Sequence, residues 1–350
     1  MDVLRDVYTV ENLNDSGKGS FREAVATRGY REIRFDVAGT CWTSDPVVID
    51  NPYLNILADT SPGGFCLAGS YLKIITNGVA IQGWRARPGD SAVNDGIQVS
   101  YPAYGITIDR SSVSFAVDGG IDFNNVYDVL VQRCIIAYCL YNSIHPKTPH
   151  SMAMLSGLGA NRIRIRRNLF YGNNQRNPLL SGGPGGSYQL TENNLVCISG
   201  GIGIGLNDSH GPLYADVMGN YVRQNQDDVR NFLRYYFPEN EQVWTYWSGN
   251  YNENYPDYEQ TEQLRLPYDQ LGSGPVSRFC VDSPISGLHY GRAMSAQDAY
   301  DYVLANAGAR PLDTLDAAII ADVTAGGSGS LIDTPEEVGG WPELSERKMT

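Results

Sequence analysis

Asn168, Asn194 and Asn220 stand at equal intervals of 26 residues, and each is followed by Leu or Tyr. A constant period in the twenties, with a polar turn residue in phase, is what stacked coils write into a sequence. Asn suits such a position twice over. Its amide can hydrogen-bond to the amide of the next coil, and its backbone tolerates the left-handed conformation that sharp corners need. Around these positions lie short β-rich runs at 72–75, 79–84, 106–113, 129–136, 163–170, 190–198 and 215–222, separated by Gly, Asn, Asp and Ser. Few helical patterns interrupt them before residue 223. Short strands at regular spacing predict an all-β chain, and the period makes it a β-helix of stacked coils.

A chain of 350 residues would ordinarily divide into two or three domains. In a solenoid each coil needs only its neighbours, so the core grows lengthwise instead. One domain, 1–350, is therefore expected: an N-terminal cap at 1–40, coils and active site at 41–222, long loops at 223–294, and a C-terminal helical cap and tail at 295–350. The caps follow from the open ends of a β-helix, which must be covered. Ser20 precedes Phe21-Arg22-Glu23, and Ser295 precedes a helical run at 296–305 with Asp298 three residues on; both read as helix starts with a capping side chain. A second C-terminal run, 315–323, follows Pro311. The 223–294 region holds Trp244, Tyr246, Trp247, Tyr251, Tyr255 and Tyr258, which suit either sugar-stacking loops or a packed excursion over the coils.

The net charge of -13 argues against nucleic acid as a partner, and it argues against a polyanionic sugar unless a cation reverses the local field. No run of about 18 apolar residues predicts a membrane span. The six cysteines (Cys41, Cys66, Cys134, Cys139, Cys197 and Cys280) form no CxxC pair, which leaves no zinc-type spacing. They read as small apolar core residues, with a Cys41–Cys66 bridge the alternative in an exported protein. The glycine-rich stretch 181–186 lacks the Lys-Ser/Thr of a phosphate loop.

Three features between 95 and 176 carry chemistry. Asp118 and Asp122 lie four apart, on one face if the segment is extended, with Gly119 and Gly120 between them; Asp95 stands 23 residues earlier, about one coil. Clustered carboxylates repel unless a cation sits among them, and Ca²⁺ prefers six to eight oxygen ligands. Arg162, Ile163, Arg164, Ile165 and Arg166 alternate, sending isoleucines inward and three arginines outward, where guanidinium suits carboxylates. Arg176, in Asn173-Asn174-Gln175-Arg176-Asn177-Pro178, follows at a corner.

These residues resemble the pectate lyase family over nearly the whole chain. The stretches that carry the resemblance run from Asn12-Leu13-Asn14-Asp15-Ser16-Gly17 and Phe21-Arg22-Glu23-Ala24-Val25, through Arg85-Ala86-Arg87-Pro88 and Val117-Asp118-Gly119-Gly120-Ile121-Asp122, to His150-Ser151-Met152, Arg176-Asn177-Pro178 and Gly339-Gly340-Trp341-Pro342. The resemblance implies a right-handed single-stranded parallel β-helix with short capping helices at both ends. It implies Ca²⁺-dependent β-elimination of polygalacturonate or a related acidic polysaccharide, with Asp95, Asp118 and Asp122 as calcium ligands and Arg176 as the catalytic arginine. Asp109 matches an Asp of structural role, followed here by Arg110. Two cations usual in the family are replaced, by Ser181 and by Met152, so substrate contacts are expected from Arg162, Arg164, Arg166 and the nearby Lys147. A monomer acting outside the cell is expected; the opening residues show no basic and apolar leader, which leaves a cytosolic protein, a trimmed leader or another route, such as release in a virion.

The chemistry accounts for an acidic enzyme on an acidic polymer, because a cation bridges the two sets of carboxylates. Arginine, whose reference pKa is above about 12, works as a base only where cations depress it, so an alkaline optimum is expected. Two alternatives remain: a glycoside hydrolase using a carboxylate pair drawn from Asp109, Asp118 and Asp122, and a non-catalytic carbohydrate-binding or virion β-helix.

Overall fold

A computed structural model describes residues 5–225, 233–236, 240, 242–256 and 280–345. The chain winds into a parallel β-helix of about nine turns, with three sheets, each strand pairing in parallel with its counterpart one coil on. The first sheet has ten strands, from Asp6–Val10 to Val243–Ser248. The second has nine, from Gly39–Trp42 to Tyr251–Asn252, and the third has eight, from Val47–Ile49 to Leu233–Tyr236.

Alternation within each strand sends one residue in two to the core. On the first sheet Ile33, Ile56, Ile81, Ile108, Val131 and Ile165 lie in register on consecutive coils, all fully buried. Each contributes about 1.5–3 kcal/mol of burial. Coils therefore extend on both sides of the expected 41–222: strands begin at Asp6, and Val243–Ser248 adds a further rung. Trp244 belongs to that rung and stacks on Tyr214, which stacks on Tyr188, at 5.0 and 4.8 Å between centroids. Tyr258 lies outside the described residues.

The corner from the first sheet to the second is two residues long. Its first residue is left-handed in seven coils, at Gly83, Arg110, Arg133, Arg167, Asn193, Gly219 and Gly249. Its second residue points inward. There the amides form a ladder in which Asn168 donates through backbone and side chain to Asn194 Oδ1, Asn194 to Asn220 Oδ1, and Asn220 to Asn250 Oδ1, all at 2.8–3.0 Å. The 26-residue period holds for three rungs; a wider 30-residue coil hides the fourth, Asn250. Cys134 takes the preceding place, its backbone N–H donating to Asn168 Oδ1 at 2.9 Å.

At the start, helix Phe21–Ala26 is capped by Ser20 Oγ, which accepts from Glu23 N. Phe21 enters the core against Phe35, Phe65 and Trp84. At the other end of the chain, helices Ala296–Asn306 and Thr314–Thr324 are not set over the last coil. They lie along the outside of the second sheet, where Val303, Leu315, Ile319 and Val323 pack with Phe115, Ile135, Leu169 and Leu195. Buried ion pairs fasten them there: Arg85 Nε to Asp313 at 2.8 Å, and Arg87 Nη2 to Asp313 at 2.9 Å and Asp316 at 3.0 Å. The tail continues to Trp341, whose Nε1 donates to Arg87 O.

Alternation also decides the cysteine question. Thr40 pairs with Cys66 and Cys41 with Leu67, so the two thiols face opposite sides of the sheet and form no bridge. All six cysteines are free, and burial pushes the Cys41 thiol up to about 11 and that of Cys66 up to about 12.

Replacing Asn194 by Ala takes the Oδ1 acceptor from Asn168 N and Nδ2 on one side and the Nδ2 donor from Asn220 Oδ1 on the other, and each buried group left unpaired costs about 1–3 kcal/mol. Urea unfolding should show a larger loss for Asn194→Ala than for Asn250→Ala at the ladder's end. Equal losses would mean that the ladder does not carry the register.

Candidate active site

Asp95, Asp118 and Asp122 come together on the third sheet because one coil brings each strand back above the last. Asp122 lies in strand Gly119–Asn124, paired with Gln98 of Ile97–Ser100. Asp118 immediately precedes the strand, and Asp95 stands two residues before Ile97. Asp95 Oδ1 accepts from Gly119 N at 3.0 Å, and its Oδ2 accepts from Gln98 Nε2 at 2.9 Å. Asp122 Oδ1 accepts from Leu155 N at 3.2 Å, which ties it to the next coil. A Cβ at Gly119 would stand 2.4 Å from Asp122 Oδ1 and would push that carboxylate aside.

The electrostatics are those of crowded anions. Burial, then the charges of Asp122 and Asp118, push the Asp95 carboxyl up to about 8. Burial raises Asp122 to about 6 against the opposing pull of Arg176. Asp118 moves the other way. The hydrogen bond from His150 is the largest cause that lowers it, with help from the charges of His150, His145 and Arg176.

The two histidines were not foreseen as site residues. His145 and His150 lie in the 141–150 segment that also carries Lys147, with rings stacked at 3.7 Å. Their Nε2 atoms lie 3.5 and 3.1 Å from Asp118 Oδ1. One carboxylate and two imidazoles make the donor set of a transition-metal site. The hydrogen bonding says otherwise. Lys147 N donates to His145 Nδ1 at 3.0 Å, so in neutral His145 the proton sits on Nε2 and faces the carboxylate, whereas a metal ligand would need that nitrogen bare. The pair clamps Asp118. The all-oxygen set of Asp95, Asp118 and Asp122 is the kind a hard cation such as Ca²⁺ takes. Its oxygens, unlike the Asp118–His145–His150 atoms, do not all lie within 4.8 Å of one another. A cation drawing them together would relieve the two carboxyls raised by burial and by their neighbours' charge.

Arg176 enters from two coils beyond Asp122. Its backbone is left-handed (φ 58), its carbonyl accepts from Met154 N at 2.9 Å, and its charge acts on Asp118 and Asp122. Buried amides hold the turn: Asn173 Nδ2 donates to Ile136 O, Asn174 Nδ2 to His150 O, and Asn177 Nδ2 to Ile202 O.

The arginine strand lies elsewhere. Asn161–Arg166 belongs to the first sheet, so Arg162, Arg164 and Arg166 do not join the carboxylates. Arg162 is left-handed and sits over Tyr127 at 5.7 Å. Arg164 pairs with Asp128 at 3.1 Å and Arg166 with Glu192 at 3.4 Å. Ile163 and Ile165 do face the core; period-two alternation gives the face of a strand but not which of three sheets it joins. Asp109 is also on the first sheet, bound by Arg133 Nε at 2.8 Å, so no hydrolase pair with Asp118 or Asp122 is assembled. Ser181 is buried and offers no cation.

In cation-free protein the raised carboxyls bind more protons folded than unfolded, so stability should fall as pH rises toward about 8. Burial lowers His145, which pulls the opposite way, but only below its ordinary value of about 6.5, so the window from about 6.5 to about 8 belongs to Asp95. Thermal melts in chelator should therefore decline across that window for the native sequence and decline less for Asp95→Asn. Parallel curves would show that Asp95 is not crowded.

No family model matches the chain. Among curated proteins, it is 30% identical over 343 residues to a protein of Aspergillus fumigatus named "Probable pectate lyase C", covering 95% of this chain and 76% of that one. It is 30% identical over 353 residues to the protein of the same name from Aspergillus terreus, covering 97% and 78%. In fold it is similar to a pectate lyase of Bacillus sp. N165 in complex with trigalacturonate (TM-score 0.60, 16% identity, 86% of this chain and 93% of that one). It is similar likewise to jun a 1, the major allergen from cedar pollen (TM-score 0.60, 15% identity, 87% and 88%). No helix among the described residues is long and apolar enough to cross a membrane. With a parallel β-helix, and with that identity sustained along almost its full length, this chain belongs to the pectate lyase family and is a polysaccharide lyase.

Proposed function

We propose that the substrate is polygalacturonate or a closely related polyuronate, that cleavage is a Ca²⁺-dependent β-elimination, and that the enzyme works outside the cell as a monomer. The observation that carries this reading is the meeting of three carboxylates from two coils with a single arginine from a third. Two of the acids are raised by burial and then by their neighbours' charge, and the arginine's charge reaches the other and one of these.

Elimination removes the proton on C5 of a uronate, forms a C4–C5 double bond and expels the C4 glycosidic oxygen, which takes up a proton. The difficulty is the charge that builds on C5 and its carboxylate. Asp95, Asp118 and Asp122 would hold Ca²⁺, which when bound supplies positive charge to the uronate carboxylate. Asp95 and Asp122 are held by the backbone of neighbouring coils, and Asp118 by His145 and His150. Arg176 acts at the C5 proton and at the charge left behind. Lys147, exposed in the segment beside Asp118, takes a substrate carboxylate where the family's usual lysine is replaced by Met152. The arginine strand takes no part in this reading.

The test is the ultraviolet absorbance of the unsaturated product on polygalacturonate, with Ca²⁺ and with chelator. Activity should need the cation and rise toward alkaline pH, and Arg176→Ala should lower kcat by roughly a hundred- to a thousandfold. Reducing ends without absorbance would mean hydrolysis, and binding without products would mean a carbohydrate-binding role.

A further inference from the structure

The outward column of the third sheet reads, coil by coil, Val48, Lys73, Gln98, Asp122, Leu155 and Leu179. Their neighbours Ile74, Val99, Phe123, Met154 and Leu180 are in the core, so alternation turns this column toward solvent. The two directions away from Asp122 differ in chemistry. Toward the C terminus the next two places, Leu155 and Leu179, are apolar, and Leu179 is buried; Gly205 and Arg234 follow three and four strands from Asp122. Toward the N terminus it offers an amide already committed to Asp95 and then Lys73, which is partly exposed.

Lys73 stands two strand spacings from Asp122, about 10 Å. It has no ion-pair partner among the described residues, in a chain with 39 acidic and 26 basic side chains. An unpaired lysine on the same face as a three-carboxylate cluster has no structural work to do there. A polymer of uronates supplies what it lacks: a second carboxylate, a few sugars from the one at the acid cluster.

Resting on the polyuronate reading above, we infer that Lys73 binds a substrate carboxylate. The polymer then runs along the helix axis from the acid cluster toward the N-terminal coils. The contact forms with the bound chain and does not change as C4–O breaks, so it acts on binding and not on the chemical step.

The experiment compares the native sequence, Lys73→Gln and Lys73→Arg with Ca²⁺ present, by kinetics on polygalacturonate and by calorimetric binding of polygalacturonate to each protein carrying Arg176→Ala. Losing one charge-assisted contact should raise KM and Kd about tenfold in Lys73→Gln, with kcat within about twofold. Lys73→Arg should recover most of the affinity, and the native KM should rise more steeply with salt than that of Lys73→Gln. Unchanged KM and Kd in Lys73→Gln overturn the assignment, as does a fall in kcat alone. If the native protein cleaves no polygalacturonate, its own flat absorbance reports the failure of the lyase substrate reading. The binding arm still decides for Lys73: polymer held by the Arg176→Ala protein and lost with Lys73→Gln upholds it, and polymer held by neither overturns it.

Discussion

The structure rests on a constant register between coils, set at the corner where one left-handed residue precedes one inward side chain. From Gly83 to Gly249 that backbone turn recurs without an insertion, although coil lengths vary elsewhere. Because the corner is constant, the hydrogen bonds of Asn168, Asn194, Asn220 and Asn250 can stack, and the aliphatic columns stay aligned. A slip of one residue in any coil would turn its core outward. The site depends on the same constancy. Asp95, the Asp118–Asp122 pair and Arg176 come from three different coils, and their spacing in space is the spacing of strands.

On this frame the electrostatics are divided between neighbours. Asp95 and Asp122 take backbone hydrogen bonds yet remain raised, because burial and mutual repulsion outweigh the two N–H groups. Asp118 is brought down by His150. Asp118 is thus kept ionised by its own surroundings, and Asp122, at about 6, gives up its proton below neutrality. Asp95, at about 8, holds its proton at neutral pH until something positive arrives. A cluster of this kind attracts cations, and through them other anions, which is how a protein of net charge -13 can hold an acidic polymer.

The sequence exposed the parts of this arrangement that repeat or that keep a fixed local spacing. Asn168, Asn194 and Asn220 disclosed the coil length, and Asp118, Asp122 and Asp95 disclosed a shared face one coil apart. Features that depend on which sheet a strand joins were hidden. Arg162, Arg164 and Arg166 alternate as a strand should, but they decorate the first sheet and not the third. His145 and His150 belong to no period; the one signal was that half of the four histidines in the chain flank Lys147 within six residues. The C-terminal helices carried correct start signals at Ser295 and before Leu315, but their destination was fixed by partners more than 200 positions away, Arg85 and Arg87, which no local pattern reveals.

That destination limits how the protein can change in size. The segment is gripped near one end of the second sheet by Arg85 and Arg87, and near the other by Arg223, whose Nη1 donates to Val323 O and Gly327 O. Between the strands holding these arginines lie five inter-strand steps, roughly 24 Å, spanned by one short helix and its cap. A solenoid can ordinarily gain or lose a coil by duplication or deletion, since each coil asks only for a similar neighbour. Here an added coil would pull the two grips apart by about 4.8 Å while the helix between them kept its length. The strap works as a measuring rod laid against the coils, and it leaves the loops that leave the corners, rather than the number of coils, as the place where this chain has room to grow.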